Sequence, residues 1–246
     1  MITIKKLNCG TTVIMEQTDH VQSAAIGIWV KSGAIHETED ISGISHFIEH
    51  MMFKGTERRS AKDIANDFDG IGGAFNAFTG KEATCFYVKT LSSNICQGAE
   101  ILLDMVTGST FEQEELDKER NVILEEIKMV KDTPDDDILD TISEIVNSRS
   151  PLRMNILGSP ETLAGINRQE MLNYYKHRYS RENIVVAVSG NFDGDKIAEI
   201  FEDKLCSLNR STPDEPMEIR PYEKADRKST RLNSSHTNLY RMPSSA

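Results

Sequence analysis

The sequence predicts an α+β fold: a mainly antiparallel sheet with helices packed on one face. Three observations carry this. The segments run strands, helices, strands, helices, strand, helix, which is not the strict alternation that builds a parallel sheet. Residues 73–79 and 83–91 are strand patterns joined by Gly80-Lys81-Glu82, the mark of a hairpin. Residues 183–189 (Asn-Ile-Val-Val-Ala-Val-Ser) form a continuous apolar run that reads as a central strand.

The elements follow in order. Residues 2–7 and 12–17 alternate loosely around Asn8-Cys9-Gly10 and read as a hairpin. Residues 21–31 make a longer strand holding the only Trp, and the acidic run His36-Glu-Thr-Glu-Asp40 makes a loop. A helix over 43–53 comes next. Ser60-Ala-Lys-Asp63 has the form that starts a helix, which ends near Gly70. Gly72 and Gly73 permit close backbone approach before the strand that runs to Thr79. Residues 92–108 are helical, with Ile95, Ala99, Leu102, Leu103 and Val106 on one face. Residues 111–131 form a long charged helix, broken at Thr133-Pro134, and 138–146 a shorter one. Helices start at Gly158-Ser-Pro-Glu and at Asn167-Arg-Gln-Glu170, and one over 195–205 closes the fold. No internal repeat is found within residues 1–225.

The totals fit a soluble globular chain: 246 residues, 38% hydrophobic and 27% charged. A net charge of −11 argues against nucleic acid as a partner. No apolar run approaches the roughly 18 residues of a membrane span, and the N-terminus enters a strand pattern without a signal-peptide core. Cys9, Cys85, Cys96 and Cys206 form no Cys-x-x-Cys pair and read as reduced structural thiols. The expected location is cytoplasmic.

The chemistry concentrates in Gly43-Ile-Ser-His-Phe-Ile-Glu-His-Met-Met-Phe53. On a helix, His46 and His50 lie one above the other, so both imidazoles can reach one metal ion. Glu49, on the adjacent side of that face, can meet a water on the ion. This is the inverted form of the His-Glu-x-x-His zinc helix. Ile44, Phe47, Ile48, Met51 and Met52 fill the other side, and no Lys, Arg or Gln occurs from 41 to 52, so the helix reads as buried with its triad opening into a cleft.

A catalytic zinc takes three protein ligands, which leaves one to find. The 111–131 helix has an apolar stripe of Leu116, Ile123, Ile127 and Val130. Glu125 points nearly opposite that stripe, whereas Glu119 and Glu126, two turns apart, border it and face inward. Periodicity favours Glu126 or Glu119 over Glu125 and does not choose between those two.

Here the chain resembles the M16 family of zinc peptidases, the insulinase and mitochondrial-processing-peptidase-like proteins, over about residues 7–208. The markers are Gly43-Ile-Ser-His-Phe-Ile-Glu-His-Met-Met-Phe-Lys-Gly-Thr56, then Asn76-Ala-Phe-Thr79 with Glu82 and Thr84, then Lys118-Glu-Arg-Asn-Val-Ile-Leu-Glu-Glu-Ile127. Leu157-Gly-Ser-Pro-Glu161 and 183–191 also fit. The resemblance is closer to compact bacterial members than to the very long forms. It implies a LuxS/MPP-like metallohydrolase half, with His46 and His50 as zinc ligands and Glu49 as general base. It places the third ligand 76 residues beyond His50, at Glu126, and gives Glu119 a supporting catalytic role. One Zn²⁺ per chain is implied. The strand from Gly73 resembles the edge to which members add substrate as an extra strand, with Gly73, Ala74, Phe75, Asn76 and Ala77 as substrate-binding positions. The implied activity is zinc-dependent endopeptidase action on unfolded peptides or presequence-like segments. Two other readings stand beside it: a non-catalytic peptide-binding partner subunit, and a zinc hydrolase acting on a small molecule.

Residues 1–225 match only the first of two related halves that enclose a chamber in the family. The resemblance therefore implies a missing C-terminal half or a homologous subunit as partner, and a bare sheet face without it. Residues 226–246 resemble the translation of a sequencing-library adapter and are expected to be no domain. Without them the chain holds 38 acids and 24 bases, and the natural chain is expected to continue past Ala225.

Overall fold

Strand alternation sets the sheet. In the computed structural model, which describes residues 2–211, β1 (Ile2–Lys6) and β2 (Thr12–Gln17) form the N-terminal hairpin, closed at Lys6 opposite Thr12. β3 (Ser23–Val30) buries Ala24, Ile26, Ile28 and Val30 and turns Ala25, Gly27 and Trp29 the other way. β4 (Ala74–Thr79), β5 (Thr84–Leu91) and β6 (Ile184–Gly190) complete six strands in the order β1-β2-β6-β3-β5-β4. Every neighbouring pair is antiparallel except β2 with β6. The apolar run at β6 is thus a central strand, as its sequence predicts.

The helices are α1 (Ile44–Met52), α2 (Ala61–Gly70), α3 (Ile95–Gly108), α4 (Gln113–Asp132), α5 (Pro134–Val146), α6 (Pro160–Gly165), α7 (Arg168–Arg178) and α8 (Gly194–Leu205). The inward sheet residues Val13, Ile26, Ile28, Phe86, Val88 and Val186 join Phe47, Leu102, Met105, Ile197 and Phe201 in one core. The opposite sheet face stays open and apolar among the described residues. Ile2, Ile4, Trp29, Phe78, Tyr87 and Leu91 are exposed there, and Phe78 meets Trp29 edge-on with ring centres 5.5 Å apart.

Several boundaries differ from the sequence reading. β4 starts at Ala74, so Gly73 is the residue before the strand; Gly72, at φ +60°, makes the turn. α5 starts at Pro134 rather than 138, because Pro is favoured at the first helical position and Asp135, Asp136 and Asp137 suit the positive end of a helix. α5 is also turned unexpectedly. Asp140 faces the body and accepts from Asn155 Nδ2 at 2.8 Å, while Ile138, Leu139, Ile142, Ile145 and Val146 are exposed. All four cysteines are free. Residues 226–246 lie outside the described residues.

Candidate metal centre and peptide edge

The site is built on α1, and α1 is anchored before it begins. Gly43 caps it at φ +94°, and a Cβ there would fall 2.6 Å from Leu157 O, so only glycine fits this left-handed turn. Gly158, at φ +72°, is its counterpart: a Cβ there would fall 2.2 Å from Ser42 O. The two glycines let the 157–161 loop press against the start of the helix. Glu37 then does what no side chain at Gly43 can. Its carboxylate accepts from the N–H of Gly43 at 2.7 Å and of Ser45 at 2.9 Å, satisfying donors that an α-helix leaves unpaired in its first turn. Ser45 Oγ in turn lies 3.0 Å from Tyr174 Oη. Glu37 is buried, and burial outweighs these hydrogen bonds, pushing its carboxyl up to about 7. The sequence reading placed Glu37 in an acidic loop and gave it no role; the structure buries it against the start of α1.

His46, His50 and Glu126 converge. Glu126 Oε2 lies 3.8 Å from His46 Nε2 and 3.6 Å from His50 Nε2. One ligand atom from each of the three residues falls within 4.8 Å of the other two. The imidazole ring centres are 4.6 Å apart. Side-chain exposures of 13%, 18% and 33% leave the cluster reachable from solvent. Burial, then the neighbouring His50, holds His46 down to about 3, so its ring is neutral at ordinary pH and keeps a lone pair. These donors, two imidazole nitrogens and one carboxylate, are a zinc set that leaves a fourth position open. The residues therefore fit the metal.

Glu49 is buried beside this cluster, and the Thr79 hydroxyl donates to its Oε2 at 2.5 Å. Burial raises its carboxyl and the Thr79 bond pulls it part of the way back. Thr79 ends β4, an edge strand of the sheet. Along β4, Phe75, Ala77 and Thr79 share the side of α1, whereas Ala74, Asn76 and Phe78 are exposed on the other. The Ala77 N–H bonds the Asn76 side-chain oxygen at 2.9 Å rather than a neighbouring strand.

Of the residues singled out from sequence, the structure brings together His46, Glu49, His50 and Glu126. Glu119 stands behind the cluster, with Oε2 3.0 Å from His50 Nδ1. Glu125 is exposed and pairs with Lys128. Ala74, Phe75, Asn76 and Ala77 lie on the edge strand. Sequence reasoning passed over Glu37 as an anchor and Thr79 as the partner of Glu49. Strand parity, which puts Thr79 on the side of Ala77, could have found the second.

A mixed sheet with one helical face carries a two-histidine, one-carboxylate cluster beside an exposed strand edge, the donor set and setting of a metallohydrolase fold. Comparison with known proteins narrows it. Residues 12–159 match the insulinase family, peptidase family M16, and residues 165–242 match the peptidase M16 inactive domain. The chain belongs to peptidase family M16. It is 44% identical over 199 residues to an uncharacterized zinc protease of Bacillus subtilis, YmxG, covering 80% of this chain and 49% of that one. It is 34% identical over 200 residues to a probable mitochondrial-processing peptidase subunit beta of Arabidopsis thaliana, covering 81% and 38%. A protease from Helicobacter pylori shares the fold at TM-score 0.81 and 22% identity, over 91% of this chain and 54% of that one. The chain thus spans about half the length of the curated relatives it matches.

Proposed function

We propose that the chain is the metal-holding half of a zinc endopeptidase that cleaves unfolded peptide segments. The observation that carries this is the placement of Glu49 between the His46–His50–Glu126 cluster and the end of β4. A peptide added along β4 gains main-chain hydrogen bonds, with the Ala77 N–H exchanging Asn76 for the incoming strand. Its scissile bond would then lie over Glu49. Zinc held by His46, His50 and Glu126 would acidify a water and polarise the carbonyl. Glu49, with Oε2 held by Thr79, accepts the water's proton on Oε1 and returns it to the leaving amine. Glu119 supports the centre through His50. Among the described residues the cluster is reachable from solvent and the apolar sheet face is uncovered. A second half or a homologous subunit would complete the chamber.

The test is Glu49→Gln in the full-length protein. Zinc content by elemental analysis should stay at one per chain while turnover of a quenched peptide falls about 100-fold or more. Turnover that survives the substitution, or that survives a chelator in the unsubstituted protein, would refute the reading.

A further inference from the structure

The two histidines of α1 are held differently. His46 Nδ1 is buried without a hydrogen-bond partner among the described residues, so packing alone sets that ring. His50 Nδ1 faces Glu119 Oε2 at 3.0 Å. A carboxylate oxygen accepts, so the nitrogen must donate, and the lone pair is then on Nε2, toward Glu126. The other oxygen of Glu119, Oε1, lies 2.7 Å from Lys54 Nζ. Lys54 follows the last turn of α1, its N–H bonded to Met51 O at 3.0 Å, four residues beyond His50. Glu119 reaches across from α4 and bridges the two. Its side chain is only 8% exposed, so this is no surface ion pair of small consequence. A carboxylate buried to that degree with one oxygen unpaired is costly, and nothing would then fix its plane.

We infer that Lys54 is a positioning residue for the metal centre. By holding Oε1 of Glu119 it fixes the carboxylate, and through Oε2 it keeps His50 as the Nδ1–H tautomer with Nε2 presented to the cluster. The inference rests on the reading of His46, His50 and Glu126 as metal ligands. Because His46 has no such outer bond, the Lys54–Glu119–His50 chain is the one hydrogen-bonded constraint on ligand orientation among the described imidazoles of the cluster. Ligand-orienting partners of this kind are worth about 10–100-fold in metal affinity.

Two readouts on the chain test it. In metal-free protein with ¹⁵N-labelled histidine, long-range ¹H–¹⁵N spectra report the His50 tautomer: Nδ1–H is expected in the unsubstituted chain and in Lys54→Arg, and a mixture in Lys54→Met. Zinc affinity, from competition with a chromophoric chelator, should fall about 10–100-fold in Lys54→Met and be restored by Lys54→Arg. Either readout unchanged in Lys54→Met overturns the inference. If that variant does not melt cooperatively, Lys54→Gln is judged by the same two readouts. Failure of the ligand reading looks different: the unsubstituted chain then binds no zinc.

Discussion

The buried carboxyl that anchors α1 gives a stability prediction with a definite sign. Glu37 lies 6% exposed under the first turn, and its carboxyl is moved from 4.5 to about 7. A raised value means that the folded chain holds this proton more tightly than the unfolded chain. The contribution is therefore fully present below pH 4.5 and is lost as the pH climbs to about 7. At about 1.4 kcal/mol per tenfold change in proton affinity, the loss is about 3 kcal/mol. Glu37→Gln removes the titration while keeping the shape and one acceptor. Urea unfolding of both chains between pH 4.5 and 8, with chelator throughout so that metal ligands do not enter, isolates the term. The stability of the unsubstituted chain relative to Glu37→Gln should drop by about 3 kcal/mol across that range. A difference that stays flat, or that grows with pH, would show that the Gly43 and Ser45 N–H bonds and not burial govern this group.

Three further outcomes follow. Glu126→Ala should lose zinc and Glu125→Ala should keep it, by elemental analysis of the purified variants; equal contents would put the third ligand elsewhere. Thr79→Val removes the bond that lowers the Glu49 carboxyl, so the acid limb of the peptide-hydrolysis profile should move to higher pH, and an unmoved limb would separate Thr79 from the general base. Leu139→Gln and Ile142→Gln lie on the exposed stripe of α5 and should each change the chain's unfolding free energy by less than about 0.5 kcal/mol; a larger loss would mean that the stripe is covered.

Much of this was legible because it repeats. Period-two alternation marked the strands, and spacings of three and four marked the histidine pair of α1 and the stripe of α4. The tie between Glu119 and Glu126 shows where periodicity ends. Both face inward, as the wheel says, but one meets His50 at Nδ1 and the other at Nε2. A wheel gives direction about one axis and knows nothing of the imidazole it points to. Glu37 was illegible for another reason. Its acceptor role spans six and eight residues across a left-handed glycine turn, and no period encodes that. On α5 the sequence marked a helix but not which of its sides meets the body, and its apolar residues lie outward. Asp140 and its bond to Asn155 decide that.

The unforeseen contacts share a logic. α1 carries buried polar groups on a helix that is otherwise core; His46 Nδ1 has no partner among the described residues, but other elements hold the rest of the site. Glu37 fixes the first turn, Thr79 of β4 fixes Glu49, and Glu119 of α4, with Lys54, fixes His50. In the proposed centre the metal ligands come from α1 and α4 alone, and these two helices pack against each other. The proposed general base needs β4 as well, because Thr79 at the end of that strand holds its carboxylate. The short Thr79 bond therefore ties the strand that would receive the substrate to the carboxylate that would act on it. A peptide that pulled β4 outward would draw Thr79 from Glu49, so productive binding must leave β4 in place. Edge addition does this: it adds hydrogen bonds on the outer side of β4 and leaves its ladder with β5 intact.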